Sequence, residues 1–143
     1  MKCKMHSQQF KALLRENRLK ATPARVAILE VFEHAFKPLA IKDLEQALGK
    51  NSAVDTATLY RNVENLKGLG ILSEVNISSG QAFFEIGSKP HHHHLICESC
   101  GRLENVAGCR VENVKKDWLK NSGFKNINRH SLEFFGICNQ CYK

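Results

Sequence analysis

The sequence predicts an α+β protein, with an N-terminal winged helix-turn-helix followed by a small C-terminal α/β unit. Three observations carry that expectation. Apolar residues recur at helical spacing in short segments as far as Gly68, and two extended runs follow directly. Lys89-Pro90 then interrupts the chain, and beyond it strand-like runs flank a single helical segment. Lastly, His91, His92, His93 and His94 lead into Cys97-x-x-Cys100, and a second pair, Cys138-x-x-Cys141, stands near the end. Two such half-sites imply one tetrahedral zinc.

Taken in order, Phe10, Leu13 and Leu14 mark a first amphipathic helix over Gln8 to Asn17, with its lysines and arginines outward. Cys3 and His6 precede it and are read as an ordinary chain terminus. Thr22 is a cap and Pro23 occupies the first helical position, where its missing N–H is harmless. That helix runs to about Ala35 on a stripe of Val26, Ile28, Leu29 and Phe32, leaving Arg25 free to meet a phosphate. Ile41, Leu44 and Leu48 make a short helix ended by Gly49.

Asp55 caps the next helix, whose apolar stripe is Leu59, Val63 and Leu66. Thr58, Arg61, Asn62 and Asn65 also recur at i, i+3, i+4 and i+7, beside Tyr60. Hydrogen-bonding side chains so arranged suit the reading of base edges in a major groove. The runs Ile71 to Ile77 and Gln81 to Ile86, joined by Ser78-Ser79-Gly80, form a hairpin that completes the winged helix. The N-terminal domain is therefore residues 1–88 and the C-terminal one 89–143.

In the second domain the histidine run is a strand, so His91 and His93 face one way and His92 and His94 the other. A short strand near Leu103 to Val106 follows, then a helix from Val111 to Asn121 with Val111, Val114 and Trp118 on one face. Phe124 to Cys138 reads as extended, with Leu132, Phe134, Phe135 and Ile137 spread over both faces. Such a strand suits a sheet covered by a helix on one side and a second subunit on the other. Cys109 falls outside both cysteine pairs and receives no role.

Composition agrees. A net charge of +7 and a pI near 9.2 point to a polyanionic partner. The excess is uneven: Lys2, Lys4, Lys11, Arg15, Arg18 and Lys20 face only Glu16 in the first twenty residues. No apolar run approaches the roughly 18 residues of a membrane span, and no apolar leader opens the chain. A cytoplasmic setting follows as the expectation, where cysteines stay reduced and bind metal.

Together, Leu19-Lys20-Ala21-Thr22-Pro23-Ala24-Arg25, Ala57-Thr58-Leu59-Tyr60-Arg61, the His-rich run into Cys97-x-x-Cys100-Gly101, and His130-Ser131-Leu132-Glu133-x-x-Gly136-x-Cys138-x-x-Cys141 resemble the ferric uptake regulator family of metal-responsive repressors. The resemblance implies a homodimer that binds a palindromic double-stranded DNA operator, with Lys20, Tyr60 and Arg61 among the DNA contacts and residues 89–143 as the metal-binding dimerisation domain. It implies structural zinc at Cys97, Cys100, Cys138 and Cys141. It implies one complete regulatory site at His91, His93, Glu112 and His130, with His93 where the family often has Asp. A nitrogen in place of an oxygen moves that site toward zinc, nickel or another imidazole-loving ion.

A further regulatory site is depleted. Glu85, His92 and His94 match the family, whereas Pro38 and Asn105 stand at two usual ligand positions. The second metal is expected to be Fe(II) or Zn(II), with Mn(II) and Ni(II) as the other candidates. A peroxide-sensing repressor is the alternative within the family, though such members favour Asp where this chain has Glu85 and Asn105. A zinc hydrolase, with the histidines as ligands and Glu85 or Glu104 as base, is the reading from a different class. It requires an open coordination position beside a substrate pocket and leaves the Thr58 to Asn65 stripe unexplained. No enzymatic activity, small-molecule substrate or membrane partner is therefore expected.

Overall fold

The computed structural model of the chain describes residues 2–49, 54–77 and 80–143, with backbone alone for 2–5 and 112. It falls into two compact units, Met1–Ser88 and Lys89–Lys143.

In the first unit, α1 (Lys2–Glu16) starts earlier than the sequence suggests, because its apolar face becomes visible only at Phe10. It closes at Arg18, whose φ of 58° is left-handed, and the Leu19 N–H returns to the Leu14 carbonyl at 2.8 Å. That 6→1 bond satisfies an orphan carbonyl and turns Leu19 back onto the core. α2 (Pro23–His34) begins as expected, with Thr22 Oγ1 accepting from the Arg25 N–H at 3.3 Å. α3 (Ile41–Leu48) is opened by Asp43, whose carboxylate accepts from the Ala40 N–H at 2.9 Å. α4 (Thr56–Gly68) is capped by Asp55.

The hairpin strands are β2 (Leu72–Val75) and β3 (Phe83–Ile86), shorter than the predicted runs. Ser78 and Ser79 of the predicted turn lie outside the described residues. A two-residue strand, β1 (Leu39–Ala40), adds to the far edge of β3 with Leu39 opposite Phe84. It carries no local signal, since tertiary pairing alone creates it. Gly87 ends the hairpin by close approach: a Cβ there would meet the Gly70 carbonyl oxygen at 2.6 Å. Leu14, Ile28, Leu29, Phe32, Leu44, Leu59, Leu66 and Leu72 fill one core beneath helices and hairpin.

In the second unit, β4 (His92–Cys97) is central, with β5 (Leu103–Ala107) antiparallel on one side and β6 (Glu133–Gly136) parallel on the other. α5 (Val111–Lys120) lies between β5 and β6 in the chain. One expectation needs correction. Only Glu133–Gly136 of the predicted Phe124–Cys138 run is a strand. Asn126 and Asn128 hydrogen-bond each other through their side chains at 2.6 Å, the local competition that draws asparagine into irregular segments. Val114 and Trp118 of α5 are exposed, Trp118 by 60%. Leu95, Phe134, Phe135 and Ile137 share that exposure, so the single chain leaves its own apolar residues uncovered.

Candidate metal centres and nucleic-acid face

α4 is held so that one face is free. Asp55 Oδ1 accepts from the Thr58 N–H at 2.7 Å, and that amide, together with the Thr58 hydroxyl, lowers the Asp55 carboxyl below its ordinary range. Leu59, Val63 and Leu66 go into the core, which leaves Tyr60, Arg61 and Asn65 exposed and Thr58 half-buried. Lys20 is exposed on the loop before α2.

Asn62 does not belong to that face. It is only 8% exposed, its Oδ1 accepts from Arg25 Nε at 2.9 Å, and its Nδ2 donates to the Thr58 carbonyl at 2.8 Å. Arg25 is engaged as well, its Nη1 donating to the Lys20 carbonyl at 2.8 Å. The pair ties the start of α2, the preceding loop and α4 together. Asn62 is therefore committed to contacts within this unit, and Arg25 is not the unengaged side chain that its place in the sequence suggests.

Cys97 at the end of β4, Cys100 in the following turn, and Cys138 and Cys141 after β6 converge, their sulfurs all within 4.8 Å of one another. Tetrahedral zinc with bonds of about 2.3 Å places its sulfurs about 3.8 Å apart. Cys100 and Cys138 Sγ stand 3.7 Å apart. The donor set thus fits a structural zinc held by four thiolates. The Cys138 N–H, 3.3 Å from Cys97 Sγ, and the Cys100 N–H draw the Cys97 thiol down to about 6. The Arg102 amide favours a Cys100 thiolate, but the thiols of Cys97, Cys141 and Cys138 outweigh it and hold Cys100 up at about 11.

A second cluster lies at the other end of β4. His91 and His93 approach with Nε2 atoms 3.2 Å apart, close to the roughly 3.3 Å edge of a tetrahedron with bonds of about 2.0–2.1 Å. The His130 ring centroid is 4.5 Å from that of His91 and 5.5 Å from that of His93. Burial, with repulsion from His91 and His130, pushes the His93 imidazole below its usual value, so the form present at neutral pH is the one that binds metal. Glu112 is on α5, and its side chain lies outside the described residues. The residue that the sequence leaves without a role is Cys109, whose sulfur joins His91, His93 and His130 within 4.8 Å.

His92 and His94 pair on the opposite face of β4, with ring centroids 4.9 Å apart, and His94 is buried. Glu85 is a buried residue of β3 in the first unit.

A family model described as the ferric uptake regulator family matches residues 16–135. The chain belongs to the ferric uptake regulator family. Among curated relatives, the ferric uptake regulation protein of Cupriavidus metallidurans is 34% identical over 122 residues, covering 84% of this chain and 85% of the relative. That of Bordetella parapertussis is 33% identical over 127 residues, covering 87% and 91%. The crystal structure of the Vibrio cholerae ferric uptake regulator, described as revealing rearrangement of its DNA-binding domains, superposes with a TM-score of 0.77 at 26% identity over 90% of this chain and 98% of that one. Members of the ferric uptake regulator family are transcription regulators rather than enzymes, which removes the hydrolase reading. Among the described residues no helix is long and apolar enough to cross a membrane.

Proposed function

We propose that the protein is a cytoplasmic homodimeric repressor that occupies a palindromic DNA operator when loaded with a divalent metal. The observation that carries this reading is the conjunction, in one member of the family, of a helix offering Tyr60, Arg61 and Asn65 to solvent with two clusters of donors at the separations a tetrahedral ion requires. Tyr60, Arg61, Asn65 and Thr58 would meet the major groove, and Lys20 and its basic neighbours would supply the salt-dependent phosphate contacts. The exposed Leu95, Phe134, Phe135, Ile137 and Trp118 support an isologous partner, because apolar surface left open on one copy is covered by another.

Cys97, Cys100, Cys138 and Cys141 would hold zinc permanently and so stabilise the second unit. The histidine centre would sense the regulatory ion, whose chemistry is to cross-link donors from separate segments. If the operator-competent dimer holds His91, His93 and His130 at ligand distance and the alternative does not, occupancy and DNA binding are linked. Couplings of this kind correspond to affinity changes of about 5–150-fold. Titration of labelled promoter DNA with the zinc-filled protein, alone and with Fe(II), Zn(II), Mn(II) or Ni(II), tests the reading. Equal affinity in every arm would remove the sensing function, and absence of any operator binding would remove the repressor itself.

A further inference from the structure

We propose that Cys109 is a ligand of the second metal centre, so that His91, His93, Cys109 and His130 form a site of three imidazoles and one thiolate, selective for zinc over manganese. The inference rests on the histidine centre proposed above and names its fourth donor. Topology brings the four together. β5 runs antiparallel to β4 with Ala107 opposite His92, so the chain leaving β5 passes beside His91. β6 runs parallel to β4 with Glu133 opposite His94, so His130, three residues before Glu133, comes level with His91, three before His94.

Gly108 makes the turn between them. Its φ of +88° is open to glycine, and it redirects the chain so that Cys109 faces the rings before α5 starts. The Val111 N–H then donates to Cys109 Sγ at 3.4 Å, which fixes the sulfur at the mouth of the helix. From there Cys109 Sγ reaches 3.1 Å from His130 Nε2. In a tetrahedral site a sulfur and a nitrogen lie about 3.6 Å apart, so a bound ion need spread this pair by only about half an ångström.

Chemistry then selects the ion. A thiolate beside three imidazoles is a soft-to-borderline donor set, which favours Zn(II) and Co(II) over Mn(II), an ion better suited to carboxylates and water. A carboxylate in the fourth place, as Glu112 would supply, would weaken that preference.

Cobalt is the probe. The full-length protein, carrying one zinc per chain, is titrated anaerobically with Co(II). The wild type is expected to take up one further equivalent and to develop a sulfur-to-cobalt charge-transfer band. Cys109→Ser is expected to lose that band and bind at least about tenfold more weakly, the lower bound being what even an outer-shell ligand partner contributes. His91→Ala, at an exposed position, is expected to bind the second cobalt more weakly as well. In competition, Cys109→Ser should lose zinc-over-manganese preference by a similar factor. Equal affinity without the band in wild type and Cys109→Ser would overturn the role of Cys109 and leave the histidine centre standing. No second equivalent in the wild type would overturn both. A band that survives Cys109→Ser would come from the four-cysteine centre and would also refute the proposal.

Discussion

Replacing Asn62 with alanine tests whether this residue builds the DNA-facing surface or touches DNA. Two hydrogen bonds go with the side chain, one from the Arg25 guanidinium at 2.9 Å and one to the Thr58 carbonyl at 2.8 Å. The charge-assisted bond falls in a class worth ~1.5–3 kcal/mol, and because Arg25 is half-exposed the lower end applies. The neutral bond adds about 1 kcal/mol. Alanine returns about 0.6 kcal/mol through better helix propensity. The net loss is about 2 kcal/mol, equivalent to a midpoint roughly 8–16 °C lower in a unit the size of Met1–Ser88. Thermal unfolding of the first unit, followed by circular dichroism beside operator titration at a temperature where both proteins are folded, measures it. Asn65→Ala, at an exposed position, is the counterpart: its stability should stay within about 0.5 kcal/mol while operator affinity falls by about 1–3 kcal/mol. If Asn62→Ala melts with the wild type and loses affinity as Asn65→Ala does, the positioning argument is wrong.

Cys138→Ser should lower the zinc content by one ion per chain and strip amide protection from Lys89–Lys143, because zinc of this type supplies ~10–16 kcal/mol in small peptides; unchanged hydrogen exchange would show that the sulfurs are not ligands. Arg61→Ala should weaken operator binding and reduce the slope of log affinity against log salt by about 1 if the guanidinium meets a phosphate, whereas an unchanged slope with relaxed sequence preference would assign it to a base edge. The Asp55 carboxyl is depressed in the folded state, so its contribution is complete above the ordinary carboxylate value of about 3.9 and is lost as pH falls through the lower folded value. The Thr58 amide resonance should therefore titrate below about pH 3.9 in the wild type and stay flat in Asp55→Asn, which keeps the capping oxygen.

Much of the fold was legible because its signals are local. Thr22 and Pro23 open α2, Asp55 opens α4, and the cysteine pairs announce their centre by spacing alone. Asn62 shows how a local signal can mislead. It stands at i+3 from Leu59 and i−4 from Leu66, and equally at i+4 from Thr58, so helical periodicity assigns it to the apolar stripe and the polar one alike. Only the Arg25 partner, 37 residues away in the chain, decides between them. Cys109 was missed for a related reason. Nothing in its immediate sequence pairs it with a histidine, and its place depends on the β4–β5 register, which is a long-range property. The exposed Trp118 marks the opposite case, where helical spacing identifies an apolar face but one chain lacks the surface that would cover it.

The central position of β4 also makes one strand register serve both clusters of the second unit. One end of the strand delivers Cys97 to the thiolate cluster, opposite Gly136 and beside Cys138, while residues at the other end bring His91 level with His130. A slip of one residue against β6 would carry Cys97 about 3.3 Å from its place and set His92 rather than His91 level with His130. Four sulfurs bound to one ion cannot tolerate such a shift. A zinc bound at the cysteines would therefore pin the same strand register that sets His91 level with His130.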